Sequence, residues 1–452
     1  MFAALNSFLT RAVSGYFLNK SLRFRSSASA YLNRTAGTPT AQTKYTISVW
    51  VKRGTSTFYS VFSAGSASAG DYDSLQFNST SPLAFFTGPG VGSADLVTTQ
   101  VFRDFAAWYH IIVAVDTTQA TASNRVLMYV NGTQITSFST ATYPSLNATS
   151  AINRNGAVQA IGALYSGGYN QYLDGELAEF NFIDGQALAP TAFGAYSIYN
   201  QWLPIRYAGT YGTNGFYLPF TNTASTSTLV ADSSGNANNW TPNNISLTAG
   251  STYDSLTDVP TLTSTTVANY PVLSPLSTYN GGGTLSNGNL TVSLVDSANN
   301  KPTMATDTGK WYAEFTCVSA GGYSGTGLAI TTSGASTLYP FTLLRTDYAN
   351  NGQTYSYNAS AYVSYGASWT SGDVIGVAWD CSAAQVTFYK NGVSQGAISS
   401  PTLSLTAGGT PFSFIPSSYN TAVTSSFSVN YGQQPWKYSI PTGFLPLNTF
   451  NI

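Results

Sequence analysis

Charge is scarce in this chain. Only 8% of its 452 residues are Asp, Glu, Lys or Arg, against roughly 25% in ordinary soluble domains. Its 17 basic and 18 acidic residues leave a net charge of −1, and Lys and Arg form no run that could follow a phosphate backbone. A nucleic-acid partner is therefore not expected. Near-zero net charge opposes packing between copies only weakly, which suits a subunit of an assembly. Cysteine is scarcer still: Cys317 and Cys381 are too few for a disulfide framework and lie in no C-x-x-C or Cys/His cluster. Both are expected to be reduced and packed in strands. No apolar run approaches the ~20 residues of a membrane span, so no membrane partner is expected. The opening stretch MFAALNSFLTRAVSGYFLNKS, interrupted by Asn6, Thr10 and Arg11 and lacking a basic n-region, does not read as a signal peptide. Intracellular synthesis is the expectation.

What the chain has instead is aromatic residues, 14% of the total with 31 Tyr and 8 Trp, and 41 Gly with 19 Pro scattered without period. That composition suits many short strands joined by tight turns. Helical spacing wins over alternation only at the start, where Phe2, Leu5, Leu9, Val13 and Tyr16 recur at threes and fours. Residues 1–20 are predicted to be a short amphipathic helix, either an anchor or oligomerisation segment or a helix packed on its own domain. From Ser21 onward the period is two: in YTISVWVKR, Tyr45, Ile47, Val49 and Val51 share a face, and AWYHIIVAVD, RVLMYVNGTQI and QYLDGELAEFNFID follow. The fold class expected is all-β, two antiparallel jelly-roll sandwiches with a short N-terminal helix. The first sandwich spans 21–197. A Pro-punctuated connector at 198–262 carries at least one docked strand and loosens towards Pro260, and the second sandwich spans 263–452.

The AWYHIIVAVD strand, the YVNG hairpin and the closing YLDGELAEFNF resemble a laminin-G-like, concanavalin-type jelly roll. The second half resembles the SPRY domain, with GKWYAE, GDVIGVAWD, FYKNG, NYGQQPW and PTGFLPL in order. The two together, with SLRF…SAYLNRT and DSSGNANNWTPNN, resemble virion structural proteins, of the tail-fibre type, of phages of marine bacteria. That resemblance implies a place on the exposed surface of a virion, in tail or capsid. Other virion proteins are the implied partners, with a homo-oligomer, a trimer favoured, and a host surface glycan or receptor as ligand.

Three patterns invite a catalytic reading. GVSQG at Gly392–Gly396 fits G-x-S-x-G, yet Pro401 and β-branched residues follow where the elbow needs a helix. The one histidine, His110, precedes Ser394, whereas the elbow's His comes last. Asn391-Gly392 is better explained as a type I′ hairpin turn, as is Asn131-Gly132. His110 alternates inside a strand and is expected to be structural. In DGELAE, Asp174 and Glu176 share a strand face and Glu179 points to the other, an order unlike the paired carboxylates of concanavalin-type glucan hydrolases. A glycoside hydrolase is thus a minor alternative, and no catalytic residue is assigned. No cofactor is expected beyond calcium at the rim of the first sandwich, with Asp71 and Asp73 as donors and Asp232 a further oxygen source.

Binding by surfaces remains. Rings can stack on sugar faces while amides and hydroxyls bond sugar hydroxyls. The candidates are Tyr165, Tyr169 and Tyr172 in YSGGYNQY, and Tyr355, Tyr357, Tyr362, Tyr365 and Trp369 in TYSYNASAYVSYGASW. A non-enzymatic receptor-binding component is the leading reading. The alternative is a capsid-decoration, head-fibre or tail-adaptor protein with purely architectural contacts.

Overall fold

Alternating side chains become paired strands in the computed structural model, which describes residues 15–54, 58–88, 93–279, 281–295, 298–321, 324–330, 346–356, 361–399, 411–418 and 424–452. Residues 1–14, with Phe2, Leu5, Leu9 and Val13, lie outside the described residues; residues 15–20, the described part of the helix expected over 1–20, are not helical. The chain divides into two compact units: Met1–Leu247 with Asp254–Thr263, and Thr248–Tyr253 with Ser264–Ile452.

The first unit is a sandwich of two eight-stranded antiparallel sheets. One runs Thr133–Gln134, Val126–Val130, Trp108–Asp116, Lys44–Arg53, Gly175–Asp184, Ser21–Phe24, Ser255–Leu256, with Phe216–Leu218 also pairing on Gly175–Asp184. The other runs Phe138–Thr142, Asp95–Val101, Pro82–Thr87, Tyr72–Phe77, Tyr59–Gly65, Val158–Ile161, Tyr31–Thr35, Thr241–Asn243. Tyr45, Ile47, Val49 and Val51 all enter the core between the sheets, facing Val61, Leu75, Phe77 and Phe85 from the second sheet. The opposite face of the first sheet is covered as well: Ile112 and Ile183 pack against Phe193, Tyr207, Tyr211 and Tyr217.

The docked strand expected in 198–262 is present, but the segment is more than a connector. This segment supplies strands to both sheets of the sandwich, Phe216–Leu218 and Ser255–Leu256 to one and Thr241–Asn243 to the other. It does not loosen towards Pro260: Asp254, Leu256, Asp258 and Val259 are fully buried. The reason is electrostatic. Arg23 and Arg25 both reach the Asp254 carboxylate, at 3.2 and 2.8 Å, and Lys52 reaches Asp258 at 2.6 Å. A buried cation needs a counter-charge, and the returning chain brings it.

In the second unit the main sheet runs Thr284–Ser286, Thr291–Leu294, Ser425–Asn430, Lys310–Ser319, Val374–Asp380, Gln385–Lys390, Val393–Ser399. A three-stranded sheet, Thr346–Ala349, Ser324–Ile330 and Phe412–Ser418, adds Tyr348, Phe412 and Phe414 to a core with Trp311, Trp369 and Trp379. The sequence motifs act as joints. Glu314 of GKWYAE accepts the backbone N–H groups of Lys437 and Tyr438 at 2.9 and 3.0 Å, clamping the PWKY segment to its strand. Asp373 of GDVIGV accepts from the Asn391 side chain at 2.7 Å, tying that strand to the FYKNG hairpin. Cys317 and Cys381 are free and buried, their thiols pushed by desolvation up to about 11 and about 12.

Candidate ligand-binding site

Tyr165 and Tyr169 sit opposite each other on a short ladder, Leu164–Tyr165 against Tyr169–Asn170, closed through Gly167 at φ 69°. Their rings lie 4.8 Å apart. Tyr31, from the neighbouring strand Tyr31–Thr35, stacks on Tyr169 at 4.2 Å and approaches Tyr172 at 6.0 Å. The Tyr172 hydroxyl donates to the Tyr169 carbonyl at 3.0 Å, which fixes its ring. All four tyrosines are half-buried, so each keeps part of its surface in solvent. Burial and its tyrosine neighbours push the Tyr169 hydroxyl up to about 12, so it stays a neutral donor at physiological pH.

Amides flank the rings. Asn33, two positions along the strand from Tyr31, bonds Tyr169 and accepts from Asn243 Nδ2 at 2.7 Å. Asn170 is exposed beside them. Stacked rings bordered by amides and hydroxyls form a platform for a sugar or a peptide side chain. The structure therefore gathers Tyr165, Tyr169 and Tyr172, and adds Tyr31, Asn33 and Asn243, which sequence reasoning missed. The alternation in YLNRT does place Tyr31 and Asn33 on one face. Nothing local says that this face meets the YSGGYNQY ladder.

Within the second tyrosine set, Trp369 and Tyr365 are taken up by the core. Trp369 is only 3% exposed, packed on Tyr348 and Phe427. Its assignment to ligand contact is corrected, because no ring face remains for a sugar. Tyr365 packs edge-on against Tyr348 and Phe388, and its hydroxyl donates to the Gly396 carbonyl. Tyr362 is half-buried on Ala361–Ser364, paired in register with Tyr355. The Tyr355 side chain and Tyr357 lie outside the described residues.

The catalytic candidates fall into structural places. Asn391 and Gly392 have φ of 49° and 80°, as a type I′ turn requires. Ser394 follows on the strand Val393–Ser399, exposed and opposite Tyr389, with no helix to present it. His110 is fully buried, its ring stacked on Trp50 at 4.6 Å. Trp202 Nε1–H donates to His110 Nδ1 at 2.8 Å, which leaves the ring proton on Nε2, 2.9 Å from Ser48 Oγ. His110 thus donates to Ser48 and cannot take its proton. Burial pushes the imidazole down to about 3, so it stays neutral.

Within DGELAE, Asp174 is buried, and Glu176 lies among Ser21, Arg23, Lys52 and Asp258, its carboxyl pushed well up by desolvation first and by Asp258 next. Glu179 has φ of 51° at a bulge between Ala178 and Asn181. The bulge turns its side chain towards Tyr16 and Tyr217, which both donate to it. Tyr16, expected to serve anchoring, is thus bonded to its own domain. Of the calcium candidates, Asp71 is held by both terminal nitrogens of Arg154, at 3.1 and 2.6 Å. Asp73 accepts the Ile152 and Gly88 amides. Asp232 caps a turn through the Ser234 and Asn238 amides. Among the described residues no three of His, Cys, Asp and Glu group as metal ligands.

Residues 26–191 match the family model of the concanavalin A-like lectin/glucanases superfamily, of laminin-G type, and residues 332–430 match the SPRY domain. The chain carries a laminin-G-like domain followed by a SPRY domain. An 83-residue segment is 37% identical to the E3 ubiquitin-protein ligase RKP of Arabidopsis thaliana, and covers 18% of this chain but 6% of that protein. Among solved structures, the chain is similar to domains LG4-5 of the mouse laminin α1 chain (10% identity, TM-score 0.32, 93% of this chain and 90% of that one). It is also similar to a heptameric pentraxin of Limulus polyphemus (17%, TM-score 0.30, 38% and 78%) and to the SPRY domain of human HERC1 (14%, TM-score 0.28, 35% and 96%). Both domain types suggest a binding or protein-interaction role.

Proposed function

We propose that this chain is a non-enzymatic component of a virion, a tail fibre or receptor-binding protein whose laminin-G-like domain takes host surface glycan on the Tyr31–Tyr169 platform. The observation carrying this reading is the convergence of Tyr31, Tyr165, Tyr169 and Tyr172 with the amides of Asn33 and Asn243. In this reading the chain acts as a homo-oligomer, a trimer, on the exposed surface of tail or capsid, beside other virion proteins. The resemblance of nearly the whole chain to virion structural proteins supplies the setting, and the platform supplies the means.

A specific observation also favours the architectural alternative of capsid decoration or tail adaptor. The connection between Gly194–Tyr196 and Trp202–Pro204 presents Ile198 at 76% and Tyr199 at 55% exposure, the kind of apolar tip that docks on protein. Binding of the purified full chain to host cells and to a glycan array separates the two readings. Glycan binding abolished by Tyr169→Ala, with the melting temperature held within a few degrees, supports recognition. Binding untouched by Tyr169→Ala, or no glycan bound at all, removes the platform reading.

A further inference from the structure

The ion pair between Lys52 and Asp258 has a setting unlike that of the other described lysine pairs. Its side chains are 2% and 0% exposed, whereas the lysines paired with Asp116, Asp380 and Asp373 are 38%, 48% and 26% exposed. An exposed ammonium stays hydrated, and its pair is an ordinary surface contact. Lys52 is shut away from water with its Nζ 2.6 Å from Asp258 Oδ2. Ordinary bond lengths then put Nζ within roughly 3.5 Å of the carboxyl carbon, the separation of groups poised to react.

Strand register assembles what surrounds the pair. Trp108, Lys52, Glu176 and Arg23 form a row across the first sheet, each aligned with the next, so their side chains share one face. The returning segment brings Asp258 to that row. Trp108 Nε1–H donates to Asp258 Oδ1 at 3.0 Å, while Lys52 Nζ holds Oδ2. The two carboxyl oxygens are thereby told apart: one rests on a fixed N–H donor that polarises its bond to carbon, and the other faces the amine. Glu176 is 1% exposed, and its Oε1 is buried with no hydrogen-bond partner among the described residues. Burial first, and the Asp258 charge next, push its carboxyl well up, so it carries a proton beside the pair.

We infer that Lys52 and Asp258 close into an intramolecular amide, Nζ joined to Cγ, with Glu176 as the proton relay. Two opposite charges removed from water can trade a proton and become an amine and a carboxylic acid. The amine nitrogen then attacks Cγ, and the Nζ–Cγ bond forms. Oδ1, held by Trp108, takes the developing negative charge and becomes the amide oxygen. Glu176 passes its proton to the departing Oδ2 hydroxyl and takes one from Nζ. The Cγ–Oδ2 bond breaks, and one water leaves with no net change at Glu176. Holding the groups in contact supplies an effective concentration on the order of 10⁵–10⁸ M, and exclusion of water opposes the reverse hydrolysis. The step happens once per chain and turns over no substrate. It joins positions 206 apart, fixing the returning segment to the central strands, whatever the tyrosine platform binds.

Intact-mass spectrometry of the full chain, purified folded and then denatured, is the test. The mass should lie one water below that of the sequence, and tryptic mapping should return a branched peptide joining Lys52 to Asp258. Lys52→Arg keeps a cation beside Asp258 but supplies no nucleophilic amine, so it should show the full mass of its sequence. Glu176→Gln loses the relay and should leave most chains unbranched, and Glu176→Asp should restore part of the branching. Circular dichroism of each variant separates a lost reaction from a lost fold, and the wild-type mass decides the matter even where a variant fails to fold. A wild-type chain at full sequence mass overturns the inference. So does a water loss mapped to Asp174-Gly175 or Asp184-Gly185, where succinimide closure also expels water, or one that persists in folded Lys52→Arg or Glu176→Gln.

Discussion

The two domains bury different chemistry. The laminin-G-like domain holds Arg23, Arg25, Lys52, Arg53, Asp254, Asp258, Glu176 and Glu179 inside, whereas the buried charged residues described in the SPRY domain are Glu314, Asp347 and Asp380. The SPRY interior is ring-filled, with Trp311, Trp369, Trp379, Phe412 and Phe414 in one cluster. In the first domain, ion pairs join segments 231 and 229 positions apart. In the second, carboxylates hold backbone amides and turns, and dispersion between rings does the rest. Scarce buried charge is therefore paired with opposite charge in one fold and set against backbone amides, 123 and 124 positions away at Glu314, in the other.

The sharpest way to break that comparison is Asp254→Ala. It leaves Arg23 and Arg25 buried without their shared carboxylate and also frees the Ser246 amide. Removing one partner of a buried ion pair costs about 3–5 kcal/mol. Urea unfolding should show that loss, and hydrogen exchange should show protection collapsing in Ser21–Phe24 while Lys310–Ser319 keeps its own. A loss under about 1 kcal/mol would mean that the strap is held by packing and not by charge.

How much of this was legible follows the same division. The SPRY motifs were readable because their partners are local in pattern: Asn391-Gly392 makes its own turn, and Asp373 meets it across one hairpin. His110 was readable as structural from strand alternation alone. The laminin-G-like domain hid its decisive contacts. That 254–259 returns as an edge strand and counter-charge, that Tyr31 joins the YSGGYNQY ladder, and that a bulge turns Glu179 towards Tyr16 and Tyr217 all depend on pairings between distant segments. Periodicity sees a strand's faces but not its neighbours, and a bulge inverts the face it assigns. Trp369 failed for a related reason: an aromatic beside a turn signal looks like a loop residue until the second sheet closes over it.

Titration sharpens the comparison next. Glu179 is pushed up to about 7 from an ordinary 4.5, and Asp73 to about 6 from 3.8, chiefly by burial. Each binds its proton more tightly folded than unfolded, so between the two values the folded state holds more protons and stability falls as pH rises. His110 acts in reverse: pushed down from 6.5 to about 3, it makes stability fall as pH drops through that window. The opposing signs flatten the wild-type profile, and Glu179→Gln exposes one of them. Relative to wild type, the variant should gain up to about 3 kcal/mol between pH 4.5 and pH 8, measured as the difference in urea unfolding free energy. A constant gap across that range would mean that Glu179 is not the titrating group.

The smallest effect belongs to the SPRY clamp. Glu314→Gln keeps the length and one oxygen but turns an amide donor towards either Lys437 N or Tyr438 N, both of which need an acceptor. One hydrogen bond is lost and one buried N–H is left facing another donor, a penalty of about 1–3 kcal/mol. Burial pushes the Glu314 carboxyl up as well, so part of the loss is offset as pH rises and the wild-type carboxyl ionises at a cost. The penalty should therefore be larger at pH 5 than at pH 8, and hydrogen exchange should localise it to the amides of Lys437 and Tyr438. If Glu314→Gln instead matched Asp254→Ala in size, and unfolded the whole domain, a carboxylate set against amides would hold its fold as firmly as the buried ion pairs hold theirs, and the distinction between them would disappear.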